Sequence, residues 1–180
     1  MSQFIAALRR DHSNFAKLLE LLESEILAIE VGKTPDCRLL QDIMRYMTQY
    51  PDRFHHPRED LIFTQLLKRD PGVRDDIEDL LEEHISIRLA GQEFNKLLRT
   101  SAVDSVDLRK QLGTLGYAYI CALREHMLKE ERMLFALAKE IFTKEDWQVI
   151  DEELDAIEDP VFGPVIADQY KRLYRLITDG

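Results

Sequence analysis

The sequence predicts an all-α protein: an up-down-up-down antiparallel four-helix bundle followed by a C-terminal helical extension. Three observations carry this reading. Apolar residues recur with the 3.6-residue period of a helix through four long segments. Turn-forming residues are scarce, 7 glycines and 6 prolines among 180 residues, and the few places they leave for turns, Gly32 to Pro35 and Pro71-Gly72 among them, divide the chain. No stretch alternates apolar and polar residues between turn dipeptides, as a half-buried strand would. Long amphipathic helices joined by short loops bury their stripes against one another, antiparallel.

The first segment runs from about Ser2 to Val31 with Phe4, Ile5, Leu8, Phe15, Leu18, Leu19, Leu22, Ile26 and Ile29 on one stripe. Gly32-Lys33-Thr34-Pro35 ends it with the glycine-then-proline order of a helix C-terminus. The second, Asp36 to Lys68, carries Leu40, Ile43, Met44, Met47, Leu61, Ile62 and Leu66, and Asp70-Pro71-Gly72 closes it. The third, Val73 to Leu98, carries Ile77, Leu80, Leu81, Ile87, Phe94 and Leu97. A polar stretch from Thr100 to Asp104 leads to the fourth, Ser105 to Phe142. Thr143-Lys144-Glu145-Asp146 has the form of an N-cap with acids in the first turn and starts a shorter helix through Trp147, Ile150 and Leu154. Asp159-Pro160 breaks that helix, and Val165 to Ile177 is expected to form another. The organisation expected is a bundle over residues 1–142 and an extension over 143–180 packed on it as a structural lid.

Composition narrows the function. A formal net charge of −10, spread along the chain, disfavours nucleic acid and anionic membrane surfaces, which both select basic faces. No apolar run approaches the roughly 18 residues needed to span a bilayer, and MSQFIAALRRDH lacks the apolar core and cleavage site of a secretory signal. Cys37 and Cys121 are too few and too far apart for a thiolate metal site or a disulfide framework. Cys121 is expected to be inert packing in its helix. A reducing cytoplasm is the compartment these features suggest, and association into a homo-oligomer is left open.

The histidines carry the chemistry. Five are present, at His12, His55, His56, His84 and His126, and two begin the same phrase: His55-x-x-x-Glu59 and His126-x-x-x-Glu130. Four-residue spacing places imidazole and carboxylate on one helix face, one turn apart. In an antiparallel bundle, His12, His84 and both pairs fall roughly 13–22 Å from the same end at about 1.5 Å rise per residue, a single layer. His12 shares its face with Ile5, Leu8, Phe15 and Leu19; His84 shares its face with Ile77, Leu80 and Ile87; His126 and Glu130 continue the line of Tyr119 and Leu123. Imidazoles and carboxylates turned into an apolar core are costly unless paired or metal-bound. The candidate ligands are therefore His12, His55, Glu59, His84, His126 and Glu130.

Imidazoles and carboxylates without thiolate suit iron; manganese and zinc are compatible. Each carboxylate has two oxygens, so Glu59 and Glu130 can bridge two ions while the histidines cap them. His56 lies about 100° round the helix from His55 and is expected at the surface or beside the ligands. Pro57 disfavours helical geometry at His56, and the resulting kink is the one route by which His56 would turn inward. Tyr119 stands two turns before His126 on the same face, either as a core tyrosine or as a hydrogen-bond donor to the site.

Arg10-Asp11-His12, Phe54-His55-His56-Pro57-Arg58-Glu59-Asp60, Glu83-His84 and His126-Met127-Leu128-Lys129-Glu130-Glu131 with Leu134-Phe135 together resemble the hemerythrin-like, or HHE cation-binding, family over about residues 4 to 142. The resemblance implies a non-haem di-iron centre bridged by two carboxylates in a four-helix bundle. The oxygen-carrying members use two histidines one turn apart in the third helix, where this chain has His84 followed by Arg88, and an aspartate at five-residue spacing where it has Glu130 at four. Four histidines with two glutamates are more similar to bacterial proteins that repair iron–sulfur centres under nitrosative or oxidative stress. The function expected is binding or reduction of a small diatomic or peroxide ligand such as O2, NO or H2O2. The alternatives are an iron- or oxygen-sensing regulatory module reporting through the C-terminal region, and a metal store.

Overall fold

Phe4, Ile5, Leu8, Phe15, Leu18, Leu19, Leu22, Ile26 and Ile29 all lie buried along one face of the first helix, as their spacing requires. The computed structural model describes residues 3–99, 105–152 and 159–178. The linker expected at Thr100–Asp104 and Leu154 lie outside the described residues. The helices are α1 (Gln3–Glu30), α2 (Cys37–Met47), α3 (His56–Arg69), α4 (Arg74–Leu98), α5 (Val106–Lys129), α6 (Phe135–Ile141), α7 (Lys144–Glu152) and α8 (Lys171–Thr178). α1 packs on α2 and α5, α4 packs on α5 and α2, and α3 packs on α6. The all-α bundle with a C-terminal extension expected from the sequence is the fold observed. Strands are absent among the described residues.

The end of α1 follows its sequence closely. Gly32 takes φ +78°, Gly32 N–H donates to Ile29 O at 3.0 Å, and Lys33 N–H donates to Ala28 O at 2.9 Å. This reciprocal pair is a Schellman cap, and its left-handed residue favours glycine. α2 opens on Asp36, whose carboxylate accepts from Leu39 N–H at 3.0 Å. At the head of α7, Thr143 Oγ1 accepts from Asp146 N–H at 3.4 Å while Asp146 accepts from Thr143 N–H at 2.8 Å, a capping box.

Two of the long segments are not continuous. The second breaks after Met47, passes through a π-helical turn at Pro51–His55 and resumes as α3. Pro51 and Pro57 each stand at the first or second position of a new piece, where a missing N–H costs nothing. The fourth runs as α5, then a π turn at Glu130–Leu134, then α6. Reading a segment as one regular helix hides a π turn, which adds one residue to a helical turn. Such turns concentrate at functional sites, and these two carry His55 and Glu130.

The core is divided. One apolar cluster contains Phe15, Leu18, Leu22, Ile43, Tyr46, Phe94 and Ile120; the other contains Phe4, Ile5, Leu8, Ile62, Leu66, Leu80 and Phe135. Between them lies a polar layer: His12 follows Leu8, Glu59 precedes Ile62, His84 follows Leu80, and Glu130 precedes Leu134. Gly116 allows the helices beside the first cluster to close, since a Cβ there would lie 2.2 Å from Ile26 Cδ1 and 3.2 Å from Phe94 Cζ.

The extension departs from expectation in its last helix, which begins at Lys171 after a short 3-10 turn at Asp168–Tyr170 rather than at Val165. Asp159 accepts from the Val161 and Phe162 N–H groups and binds Tyr46 Oη, which donates to its Oδ2 at 2.7 Å. Val161, Tyr170 and Leu173 are buried against the cluster around Tyr46. Leu81, placed on the buried stripe by its spacing, is exposed, and so is Cys121, which corrects the expectation that it packs.

Candidate metal centre

His12, His55, Glu59, His84, His126 and Glu130 converge in the layer between the two apolar clusters, and all six are buried. Glu59 and Glu130 are both 0 % exposed. The oxygens of these two carboxylates sort the imidazoles into two sides. On one side, His12 Nε2 lies 3.3 Å from Glu59 Oε1 and 3.4 Å from Glu130 Oε2, and His55 Nε2 lies 2.9 Å from the same Glu59 oxygen. On the other, His84 Nε2 lies 3.5 Å from Glu59 Oε2 and 3.4 Å from Glu130 Oε1, and His126 Nε2 lies 3.1 Å from that Glu130 oxygen. Each carboxylate thus offers one oxygen to each side.

The outer faces of the imidazoles are fixed by acids. His12 Nδ1 lies 3.1 Å from Glu131 Oε1, His55 Nδ1 lies 3.1 Å from Asp11 Oδ2, and His126 Nδ1 lies 3.0 Å from Glu83 Oε2. Ionised carboxylates only accept, so each Nδ1 carries a hydrogen, and in the neutral, metal-binding form each Nε2 turns its lone pair inward. Arg58 holds Asp11 and Lys129 holds Glu83. These supports are crossed between helices: Asp11 adjoins His12 but serves His55, Glu83 adjoins His84 but serves His126, and Glu131 adjoins Glu130 but serves His12. Such carboxylate–imidazole pairs orient metal ligands and raise their basicity. The sequence signal for them was adjacency to a ligand.

Aromatic rings complete the walls. Phe135 stacks on His12 with centroids 5.6 Å apart and planes at 17°, and Phe15 meets His55 edge-on at 5.0 Å. Of the two positions expected for His56, at the surface or beside the ligands, the structure shows the second. Its side chain is 13 % exposed, and its ring stacks on His84 at 3.9 Å with planes at 16°. Tyr119 is buried, and its ring packs beside Gly91.

This donor set fits a cation. His12 Nε2 and His55 Nε2 face each other at 3.0 Å, so with both Nδ1 atoms protonated two lone pairs aim at one point. Glu59 Oε2, Glu130 Oε2 and His126 Nε2 are buried and lack a hydrogen-bond partner. Orphaned buried groups are expensive and call for an explanation. At metal–nitrogen bonds of roughly 2.1 Å, donors at right angles stand about 3 Å apart, the spacing seen here. The layer contains further clusters of the same type, Glu59–His84–Glu130 and His56–His84–His126, each with ligand atoms within 4.8 Å of one another.

The hemerythrin HHE cation-binding domain model matches residues 3–138. The chain belongs to this family. Comparison with curated proteins returns no match. The HHE match spans the bundle and ends within α6, and family membership accounts for a buried layer of histidine and glutamate. Among the described residues, no helix is long and apolar enough to cross a membrane.

Charge in the HHE layer is strongly polarised. Burial opposes protonation of His12, yet Glu130, Glu131 and Glu59 outweigh it and raise its pKa well above the ordinary imidazole value. His55 is raised in the same way by Glu59 and Asp11 against burial, and His84 is pushed up to about 10 by Glu130 and Glu59 against burial. Glu59 and Glu130 are held below the usual carboxylate range: burial raises both and Glu59 also raises Glu130, but the surrounding imidazoles prevail. His56 goes the other way, lowered first by burial despite the Asp52 carboxylate. The acids thus favour protonation of His12, His55 and His84 in the metal-free site, and a cation, which needs the inward Nε2 lone pairs, has to displace the protons held there. Metal binding is expected to release protons, and apparent affinity to rise with pH from neutral toward about 10, where His84 titrates. Chelator competition across pH, corrected for the chelator's own protonation, checks this; affinity that stays flat or falls as pH rises would contradict it.

Proposed function

We propose that this HHE protein is a non-haem di-iron protein, with His12, His55, Glu59, His84, His126 and Glu130 holding two iron ions, that binds or reduces a small ligand such as O2, NO or peroxide. The observation that carries the reading is the division of the carboxylate oxygens, one from each glutamate facing each pair of imidazoles. A bound ferrous pair supplies electrons and an exchangeable position for the ligand. The chain's own residues hold that chemistry apart from water: Phe15 and Phe135 wall the histidines, and the apolar clusters close the bundle above and below. Asp11, Glu83 and Glu131 keep the imidazole lone pairs aimed inward, so little reorganisation accompanies binding. The bundle over residues 1–142 would carry this activity, and residues 143–180 would act as an extension packed on it. We place the protein in the cytoplasm.

Anaerobic reduction of the iron-loaded protein followed by O2 or NO addition is the direct trial. The expected result is a change in the optical spectrum of the metal on addition of either gas. A spectrum that stays unchanged with both overturns the ligand-binding reading.

One observation favours a regulatory reading in its place. The extension is anchored on Tyr46 through Asp159, and α2 ends only eight residues before His55. Metal loss that loosens His55 would reach the extension through that short path. Iron-dependent proteolytic protection of residues 143–180, with no turnover of any oxidant, would support this alternative; equal cleavage with and without iron would dismiss it.

A further inference from the structure

His56 is the histidine that the six-residue set leaves over, yet it is built like a member of that set. Its ligand nitrogen lies within 4.8 Å of those of His84 and His126, on the side opposite His12 and His55. Its ring is stacked on His84 and meets His126 edge-on, with centroids 6.4 Å apart and planes at 86°. Its Nδ1 stands 3.2 Å from Asp52 Oδ1, an imidazole–acid pair like those of His12, His55 and His126. Asp52 in turn faces the Arg88 guanidinium at 4.0 Å.

The local backbone explains how neighbours in sequence reach opposite sides. In a regular helix His55 and His56 would diverge by about 100°, sending one of them away from the core. The π turn at Pro51–His55 widens the helix immediately before α3 begins at His56. Both rings then face the layer, His55 toward His12 and His56 toward His84.

We propose that His56 is a metal ligand, the third imidazole of the ion on the His84–His126 side, and that it supplies from the second helix the donor that Arg88 withholds in the third. The inference rests on the two-ion reading given above. Its consequence is an unequal pair: three imidazoles on one ion, two on the ion between His12 and His55. Asp52 is a positioning residue for His56, and Arg88 holds Asp52 in place.

The test uses the intact chain, loaded anaerobically with ferrous iron and titrated against a chelator, with X-ray absorption counting imidazoles per metal. Wild type is expected to hold two ions. His56→Ala is expected to weaken one ion by at least about tenfold while leaving the other unchanged, and to lower the imidazole count. Asp52→Asn is expected to weaken the same ion by roughly 10–100-fold, as losses of orienting partners do. His56→Gln, which keeps the side chain's bulk, guards against a folding artefact and is expected to match His56→Ala in metal affinity with an unchanged helical signal. Two ions at wild-type affinity and an unchanged imidazole count in both His56 variants overturn the inference and leave the two-ion reading standing. A wild-type chain that holds fewer than two ions overturns both.

Discussion

Glu59→Gln is expected to reduce the chain from two bound ions to one at most. The substitution keeps the side chain's size but removes an oxygen that faces one pair of imidazoles while weakening the oxygen that faces the other. No histidine has this reach: His12→Ala takes a donor from its own side alone. Loss of a shared donor should exceed the roughly 10–100-fold penalty typical of outer partners, so affinity for both ions is expected to fall by more than about a hundredfold. Iron titration against a chelator, with Glu83→Gln as a comparison that disturbs only the support of His126, separates the two cases. Equal affinity losses in Glu59→Gln and Glu83→Gln would argue that Glu59 is a support and not a bridge.

Phe135→Ala should be the most destabilising single change near the site. Phe135 is fully buried in the cluster with Phe4, Ile5 and Ile62, and its ring is also the platform on which His12 stacks. Emptying a buried phenylalanine site costs about 3–5 kcal/mol from the lost transfer energy and the cavity left behind. Denaturant unfolding of the metal-free protein reads that loss directly. Removing the platform also frees His12 to tilt, so metal affinity should fall beyond what weaker folding accounts for. Met133 supplies the contrast, since it lies two residues earlier, in the π turn, but is exposed; Met133→Ala is expected to be nearly neutral. Similar losses from the two substitutions would mean that the wall of the site is not what stabilises this end of the bundle.

Much of this was legible in the residues because two independent periodicities agree. The apolar stripe of α1 is interrupted by His12 without breaking phase, and the His-x-x-x-Glu phrases do the same in the second and fourth segments. A polar residue in phase with a buried stripe has to be buried too, and that places all six candidate ligands in one layer. Their adjacent acids were less legible: Asp11, Glu83 and Glu131 support histidines on other helices, a relation that spacing along one helix does not encode.

The departures from expectation have separate causes. A π turn adds one residue to a helical turn and so shifts which later side chains share a face, a change missed when the segment is read as one regular helix. The geometry of a regular helix leaves His56 at the surface or beside the ligands, Pro57 marks the place where that geometry fails, and the structure sets the ring against His84. Cys121 was assigned to packing because its neighbours are apolar, yet it falls on the outer face of α5, with Ile120 buried beside it. The last helix starts late because Asp159 and the buried Val161 fix a turn on Tyr46 first, a long-range contact that no local signal announces.

The central claim is one buried centre in which Glu59 and Glu130 are shared between two ions. Metal stoichiometry of the intact chain, measured by elemental analysis after iron loading and recorded with its optical spectrum, tests it most directly. The account predicts close to two iron ions per chain in the wild type, and one or none when Glu59 and Glu130 are both changed to glutamine. A wild-type value of one or none, or two ions retained by the doubly substituted chain, would contradict it.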